Sequence, residues 1–207
     1  MLDKKVILIG YSGHAYVVAD IAIENQYDII GYTEKSRAQN NPFNLNYAGY
    51  EREIDFFKNN IEIGFIIGIG DNLTREKIYN LITSKNAEIT TLISNTASIS
   101  QSAKINSGTF VNRNVSINAL AKIGKNVILN TACVIEHECE ILDSVHIAPG
   151  VVLAGNVFVG ERSFIGANSV VKQGVKIGKD VIIGAGSVVI SDVPDGKKIV
   201  GNPIRFI

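Results

Sequence analysis

The chain has 207 residues, 46% of them hydrophobic, enough to bury a sizeable core in one large domain or two small ones. Lys and Arg total 20 and Asp and Glu total 20, so the formal net charge is zero, and no block of like charge stands out. That balance argues against nucleic acid or an anionic membrane as the main partner. The apolar run Val6–Ile9 behind Lys4 and Lys5 is too short for a signal-peptide core or a membrane span, so a cytoplasmic protein is expected.

The first half alternates strand-like and helix-like runs. Lys5–Gly10 (KVILIG) reads as a short buried strand, His14–Asn25 as a helix and Tyr27–Tyr32 as a second strand. After a polar loop, Tyr50–Asn60 has helical character, Ile61–Gly70 is strand-like, Asn72–Asn86 is helical, and Glu88–Ile93 closes the series as a strand. Such alternation predicts a parallel sheet with crossover helices, an α/β Rossmann-like domain over residues 1–95.

The second half follows another rule. Stepping by six from Ile99 to Val189 meets only Ile, Leu or Val, and four residues after each comes a small or short side chain. A period of six held this long is the signature of a parallel β-helix of hexapeptide repeats, here residues 96–207. The Gly and Asn that follow the aliphatic position, as in IGKN and IGAN, suit corners that need permissive backbone. Cys133 and Cys139 both fall at the small inward position, so they are expected as packed free thiols.

The hexads and the tail VPDGKKIVGNPIR (Val193–Arg205) resemble the left-handed β-helix acyltransferases, which are trimeric and use acetyl-CoA. Three further motifs in order, GYSGHAYVV, IGDNLTR and VILNTACVIEHECEI, extend the resemblance over essentially the whole chain. They are similar to the bacterial nucleotide-sugar acetyltransferases, which include UDP-4-amino-sugar and perosamine-type N-acetyltransferases and sialic acid O-acetyltransferases.

The resemblance implies a left-handed coil of three hexads and a homotrimer with acetyl-CoA lying between neighbouring β-helices. His137 and His146, nine residues apart, then fall on different sides of one prism. They are expected to meet only across a subunit interface. A neutral imidazole suits deprotonation of an amine or hydroxyl attacking a thioester. EHEC matches the family motif around the base, which implies His137 as base with Glu138 orienting it. His146 falls at the spacing of the histidine that contacts acetyl-CoA, and Gly155, Ala167 and Ala185 match positions where CoA follows the backbone. Arg205, with Lys197 and Lys198, is a candidate for the CoA phosphates.

Near the N-terminus, Gly10, Ser12, Gly13 and His14 lie where a strand gives way to a helix, a place that favours phosphate. The resemblance implies that this loop cradles the nucleotide-sugar. Glu34 and Lys35 stand at the end of the second strand, where the family commonly carries paired aspartates, which leaves the nucleotide open. Gly70, Asn72 and Arg75 fit the family's next turn, and Arg75 reads equally as a helix-surface cation.

The function so implied is acetyl-CoA-dependent N-acetylation of a nucleotide-linked amino sugar. Direct transfer is expected, because no Ser or Cys stands beside His137 as an activated nucleophile. Sugar O-acetylation is the nearest alternative, and a non-catalytic sugar-nucleotide sensor is an alternative of another class. A zinc hydratase on the same β-helix needs three histidine ligands, whereas the repeat half holds two, so no metal is expected.

Overall fold

The structure, a computed structural model, describes residues 4–53, 56, 57, 60 and 63–207. It divides into two compact units, Met1–Leu92 and Ile93–Ile207. Among the described residues no helix is long and apolar enough to cross a membrane.

In the first unit the strands are β1 (Lys4–Ile9), β2 (Tyr27–Thr33), β3 (Tyr47–Gly49) and β4 (Gly64–Ile67), with helices α1 (Gly13–Glu24) and α2 (Asn72–Ser84). All pairings are parallel and the order is β3-β2-β1-β4. Alternation along the strands serves two apolar faces, as a doubly covered parallel sheet requires. Ile7, Ile9, Phe65 and Ile67 join Ile78 and Ile82 of α2 in one buried cluster. Leu8 lies on the other face with Ala15 of α1, and both approach Gly68 so closely that a Cβ there would sit 2.5 Å from that of Ala15.

Four expectations need correction or restriction. Tyr47–Gly49, expected as loop, is a strand, too short to carry a periodic signal. Residues 54, 55, 58 and 59 of the helix expected over Tyr50–Asn60 lie outside the described residues, and those described form i→i+3 turns, Glu53 N–H to Tyr50 O and Asn60 N–H to Phe57 O. Residues 61 and 62 of the next expected strand are likewise outside. The strand expected over Glu88–Ile93 does not complete the first sheet. Only Ile89 bridges to Phe65, while β5 (Leu92–Ile93) is an edge strand of a β-helix sheet.

From β5 onward two-residue strands recur every six residues, through β6 (Ser98–Ile99), β7 (Lys104–Ile105) and β8 (Phe110–Val111), as far as β21 (Val188–Val189). From Ser98–Ile99 to Val170–Val171 each pairs in parallel with the strand 18 residues later, as Ser98 pairs with Ser116 and Ile128 with His146. Three hexads therefore make one coil, and three sheets form the walls. The aliphatic positions from Val111 to Val189 are all buried in one continuous core.

Three hydroxyls and one thiol at the small inward position, those of Thr109, Ser163, Ser169 and Cys139, find a carbonyl on the next coil. Thr109 Oγ1 donates to Gly124 O at 2.8 Å, Ser163 Oγ to Gly178 O at 2.7 Å and Cys139 Sγ to Ala154 O at 3.2 Å. A polar group this buried is tolerated because its hydrogen bond is made. Burial pushes the Cys133 thiol up to about 12, so both free cysteines are inert packing groups.

Every sixth residue from Gly108 to Gly186 has positive φ, including Asn126, Glu138, Asn156 and Asn168. The glycine directly after the aliphatic residue does a different job. At Gly166 a Cβ would lie 2.5 Å from Ala185 N and 2.6 Å from Ile183 O, both backbone atoms of the next coil. Gly166→Ala should therefore destabilise the fold by roughly 1–3 kcal/mol in denaturant unfolding. Asn168→Gly, which keeps the left-handed corner, should cost less than about 1 kcal/mol.

Candidate functional sites in the two units

In an open sheet of order 3-2-1-4, the chain reverses direction across the sheet between β1 and β4, and a crevice opens at the carboxyl ends of the strands. A cleft of about 680 Å³ lies there. Gly10, Ser12, Gly13 and His14 line it after β1, Thr33, Glu34 and Lys35 at the end of β2, and Gly68, Gly70 and Asp71 after β4. All seven substrate-site residues expected from the sequence thus share one cleft.

Its electrostatics were not all foreseen. Glu34 Oε1 accepts from the Tyr11 backbone N–H at 2.9 Å, so the acidic residue at the end of β2 is tied to the loop after β1. Tyr11 in turn stacks on Tyr32, with ring centroids 4.2 Å apart, and its hydroxyl bonds Asn41 Oδ1 at 2.7 Å. These contacts strap the loop after β2 to the glycine turn.

Arg75 is not the surface cation that helix periodicity allows. It is 1% exposed, and its guanidinium donates to Gly70 O and Asn72 Oδ1, both at 2.9 Å. Burial pushes it down to about 9, still far enough above neutral to keep its charge. Burial first, and the Arg75 charge second, push His14 down to about 4. Asp71 caps α2 by accepting from Thr74 N–H at 2.9 Å, and the Thr74 hydrogen bonds hold its carboxyl below the usual range. Asp71 was missed, although an Asp directly before a helical run is a recognisable cap signal. Arg52 and Glu51, also on the cleft wall, follow a segment with no such signal.

In the second unit, His137 stands at the corner after β12 (Val134–Ile135) and His146 opens β14 (His146–Ile147), in a different sheet. The positive φ of Glu138 belongs to every corner and is no mark of function. Its carboxylate, however, turns back so that Oε2 lies 3.1 Å from His137 Nδ1. A carboxylate only accepts, so Nδ1 carries a proton, and in the neutral ring the lone pair is then on Nε2. The His137 side chain is 48% exposed. One coil on, Gly155 lies under the ring, and any side chain there would collide with Cε1 and Nε2. The structure thus joins Gly155 to His137 directly, which spacing along the chain did not suggest.

His146 is half-buried, edge-on to Phe164 with centroids 5.1 Å apart, and its Nε2 lies 3.3 Å from Asn130 Nδ2. Asn130 was not singled out from the sequence, since an Asn after the aliphatic position reads as a corner residue. Ala167 is half-buried, while Ala185 and Arg205 are exposed toward the end of the β-helix. Lys198 opens β22 (Lys198–Val200), and Arg205 opens β23 (Arg205–Phe206), which pairs antiparallel with it. Among the described residues, no group of three or more His, Cys, Asp and Glu side chains is placed to hold a metal ion.

Comparison with known proteins agrees with both halves. The PglD N-terminal domain family matches residues 5–82, and the bacterial transferase hexapeptide (six repeats) family matches residues 156–191. The structure of PerB from Caulobacter crescentus with CoA and GDP-perosamine is 31% identical, with a TM-score of 0.91 over 98% of this chain and 97% of that one. A histidine-to-asparagine variant of perosamine N-acetyltransferase from the same organism, also with CoA and GDP-perosamine, is 30% identical over 98% and 96%, with a TM-score of 0.92. The acetyltransferase domain of PglB from Neisseria gonorrhoeae with acetyl coenzyme A is 30% identical over 99% and 100%, with a TM-score of 0.91. No curated protein sequence matches the chain significantly. The chain belongs to the hexapeptide-repeat sugar acetyltransferases that draw on acetyl-CoA.

His14 yields a prediction with a definite sign. Its pKa in the folded protein lies below its ordinary 6.5, so the stability it contributes is complete above about pH 6.5 and is lost as the pH falls toward about 4. In thermal unfolding across that window, His14→Gln should lose less stability with acidification than the wild type.

Proposed function

We propose that the protein transfers the acetyl group of acetyl-CoA directly to the amine of a nucleotide-linked amino sugar, with His137 as general base. The observation that carries this reading is the pairing of His137 Nδ1 with Glu138, which leaves Nε2 with a lone pair on an accessible ring. The amine nitrogen attacks the thioester carbonyl carbon, His137 Nε2 takes the proton the amine loses, and the carbon–sulfur bond breaks. The proton then passes from the imidazolium to the departing CoA thiolate. Glu138 holds the ring's orientation and stabilises the imidazolium while it lasts. Relatives solved with CoA and GDP-perosamine support this choice of partners.

Within this reading the N-terminal cleft takes the nucleotide. Lys35 and Arg52 supply charge for the diphosphate, while Ser12, Gly13 and His14 present the start of α1. His146, Gly155, Ala167, Ala185 and Arg205 serve CoA. The protein acts as a homotrimer in which His137 of one subunit and His146 of the next face one cleft. An outward column on one wall supports this, because Val134, Val152, Val170 and Val188 stack in register and Val170 is 42% exposed.

The first test is release of CoA thiol from acetyl-CoA in the presence of UDP-, dTDP- and GDP-linked amino and hydroxy sugars. Turnover is expected on an amino sugar, and His137→Ala should lower kcat by roughly 10²- to 10⁴-fold. Turnover confined to hydroxy sugars would move the assignment to O-acetylation. Nucleotide binding without turnover anywhere would leave a sensor. The shared site has its own test. Mixing His137→Ala with His146→Ala subunits should restore activity, since some interfaces then pair two intact histidines, and no recovery would place each site within one chain.

A further inference from the structure

His146 sits in a chain of hydrogen bonds whose directions can be worked out from the backbone. Asn112 follows β8, and Asn130 follows β11 (Ile128–Leu129) 18 residues later, so the two occupy equivalent positions on successive coils. A backbone N–H can only donate. The Arg113 N–H meets Asn112 Oδ1 at 2.7 Å, and the Thr131 N–H meets Asn130 Oδ1 at 2.8 Å. Each bond identifies the oxygen of an amide, which fixes the nitrogen on the other side. Asn112 Nδ2 then donates to Asn130 Oδ1 and to Thr131 Oγ1, both at 2.9 Å. Asn130 Nδ2 is left facing His146 Nε2 at 3.3 Å. An amide nitrogen has no lone pair to offer, so Nε2 must be the acceptor.

We propose that Asn112, acting through Asn130, is a positioning residue that fixes His146 in the neutral tautomer with its proton on Nδ1. The arrangement sorts the two histidines of the β-helix. Both carry the proton on Nδ1, but Nε2 of His137 stands on an accessible ring while Nε2 of His146 is engaged inside the protein. Asn112 is 1% exposed, so its amide is shielded from water that would compete for the same bonds. Ile128 and Phe164, the strand neighbours of His146, carry no charge, and the edge contact with Phe164 holds the ring plane. The catalytic consequence rests on the acetyl-transfer reading: His146 contacts acetyl-CoA without exchanging a proton at Nε2, and the amine proton goes to His137 alone.

The test is two-bond ¹H–¹⁵N correlation NMR on full-length protein labelled with ¹⁵N-histidine, at a pH where the rings are neutral. The chain has three histidines, and His14→Gln and His137→Ala spectra assign the third. The wild type should show His146 with protonated Nδ1 and bare Nε2, and a protonated Nε2 would overturn the proposal whatever any variant does. Asn112→Asp keeps an acceptor for the Arg113 N–H but sets a carboxylate oxygen against Asn130 Oδ1, which the Thr131 N–H alone then holds, so the Asn130 amide is loosened from His146. Part of the His146 population should then carry the proton on Nε2, and an unchanged spectrum would remove Asn112 from the relay. The same variant should lower kcat about tenfold, the equivalent of one hydrogen bond lost. Unchanged turnover would overturn the catalytic consequence. The spectra need no substrate, so a failure of the acetyl-transfer reading would appear separately, as absence of turnover in the wild type.

Discussion

The parallel register of 18 residues is the constraint on which the β-helix and its chemistry depend. Each strand is only two residues long, too short to hold itself, and is stable because identical hydrogen bonds tie it to the coils on either side, as Val134 is tied to Ser116 and Val152. The left-handed corner at every sixth residue keeps that register by turning the chain at fixed intervals. Once register is kept, any residue's neighbours are those 18 before and 18 after it. Chemistry is then set by which side chains share a column.

Column sharing explains why two histidines on one scaffold have different surroundings. His137 has Gly155 as its column neighbour, a residue with no side chain to cover or displace the ring, and Glu138 beside it fixes the proton. His146 lies beside the column in which Asn112 and Asn130 pass hydrogen-bond direction from coil to coil. Stacking thus works at corners as it does in the core, where Thr109, Cys139 and Ser163 each bond a carbonyl 15 residues further on. A repeat built for burial also carries polarity along its length.

The first unit solves a different problem, that of keeping a cleft both polar and ordered. Arg75 is buried beneath the turn that follows β4, and its hydrogen bonds to Gly70 and Asn72 shape that turn from below. Its charge helps to keep His14 neutral, so the imidazole enters the cleft as an uncharged group. Opposite, the Tyr11 main chain and ring hold Glu34 and Asn41 at once, coupling the glycine turn to the segment after β2. The cleft wall is therefore braced by tertiary hydrogen bonds and not by its loops alone.

What could be read from the chain by itself was whatever repeats or punctuates. The period of six identified the β-helix and its inward residues, including the two cysteines, because burial imposes the same requirement at every coil. The glycine turn after β1 and the alternation of strand and helix placed the cleft, since parallel sheets open at the carboxyl ends of their strands. Tertiary structure decided what depends on partners distant in the chain. It turned the end of Glu88–Ile93 into a strand of the β-helix, because Ile93 is in register with the hexads. It buried Arg75, whose helical position was equally consistent with solvent, and it set Gly155 against His137 and Asn130 against His146. Periodicity says which face a side chain takes, but a hydrogen bond or a close contact needs both partners, and only folding brings residues 16 or 18 apart to one place.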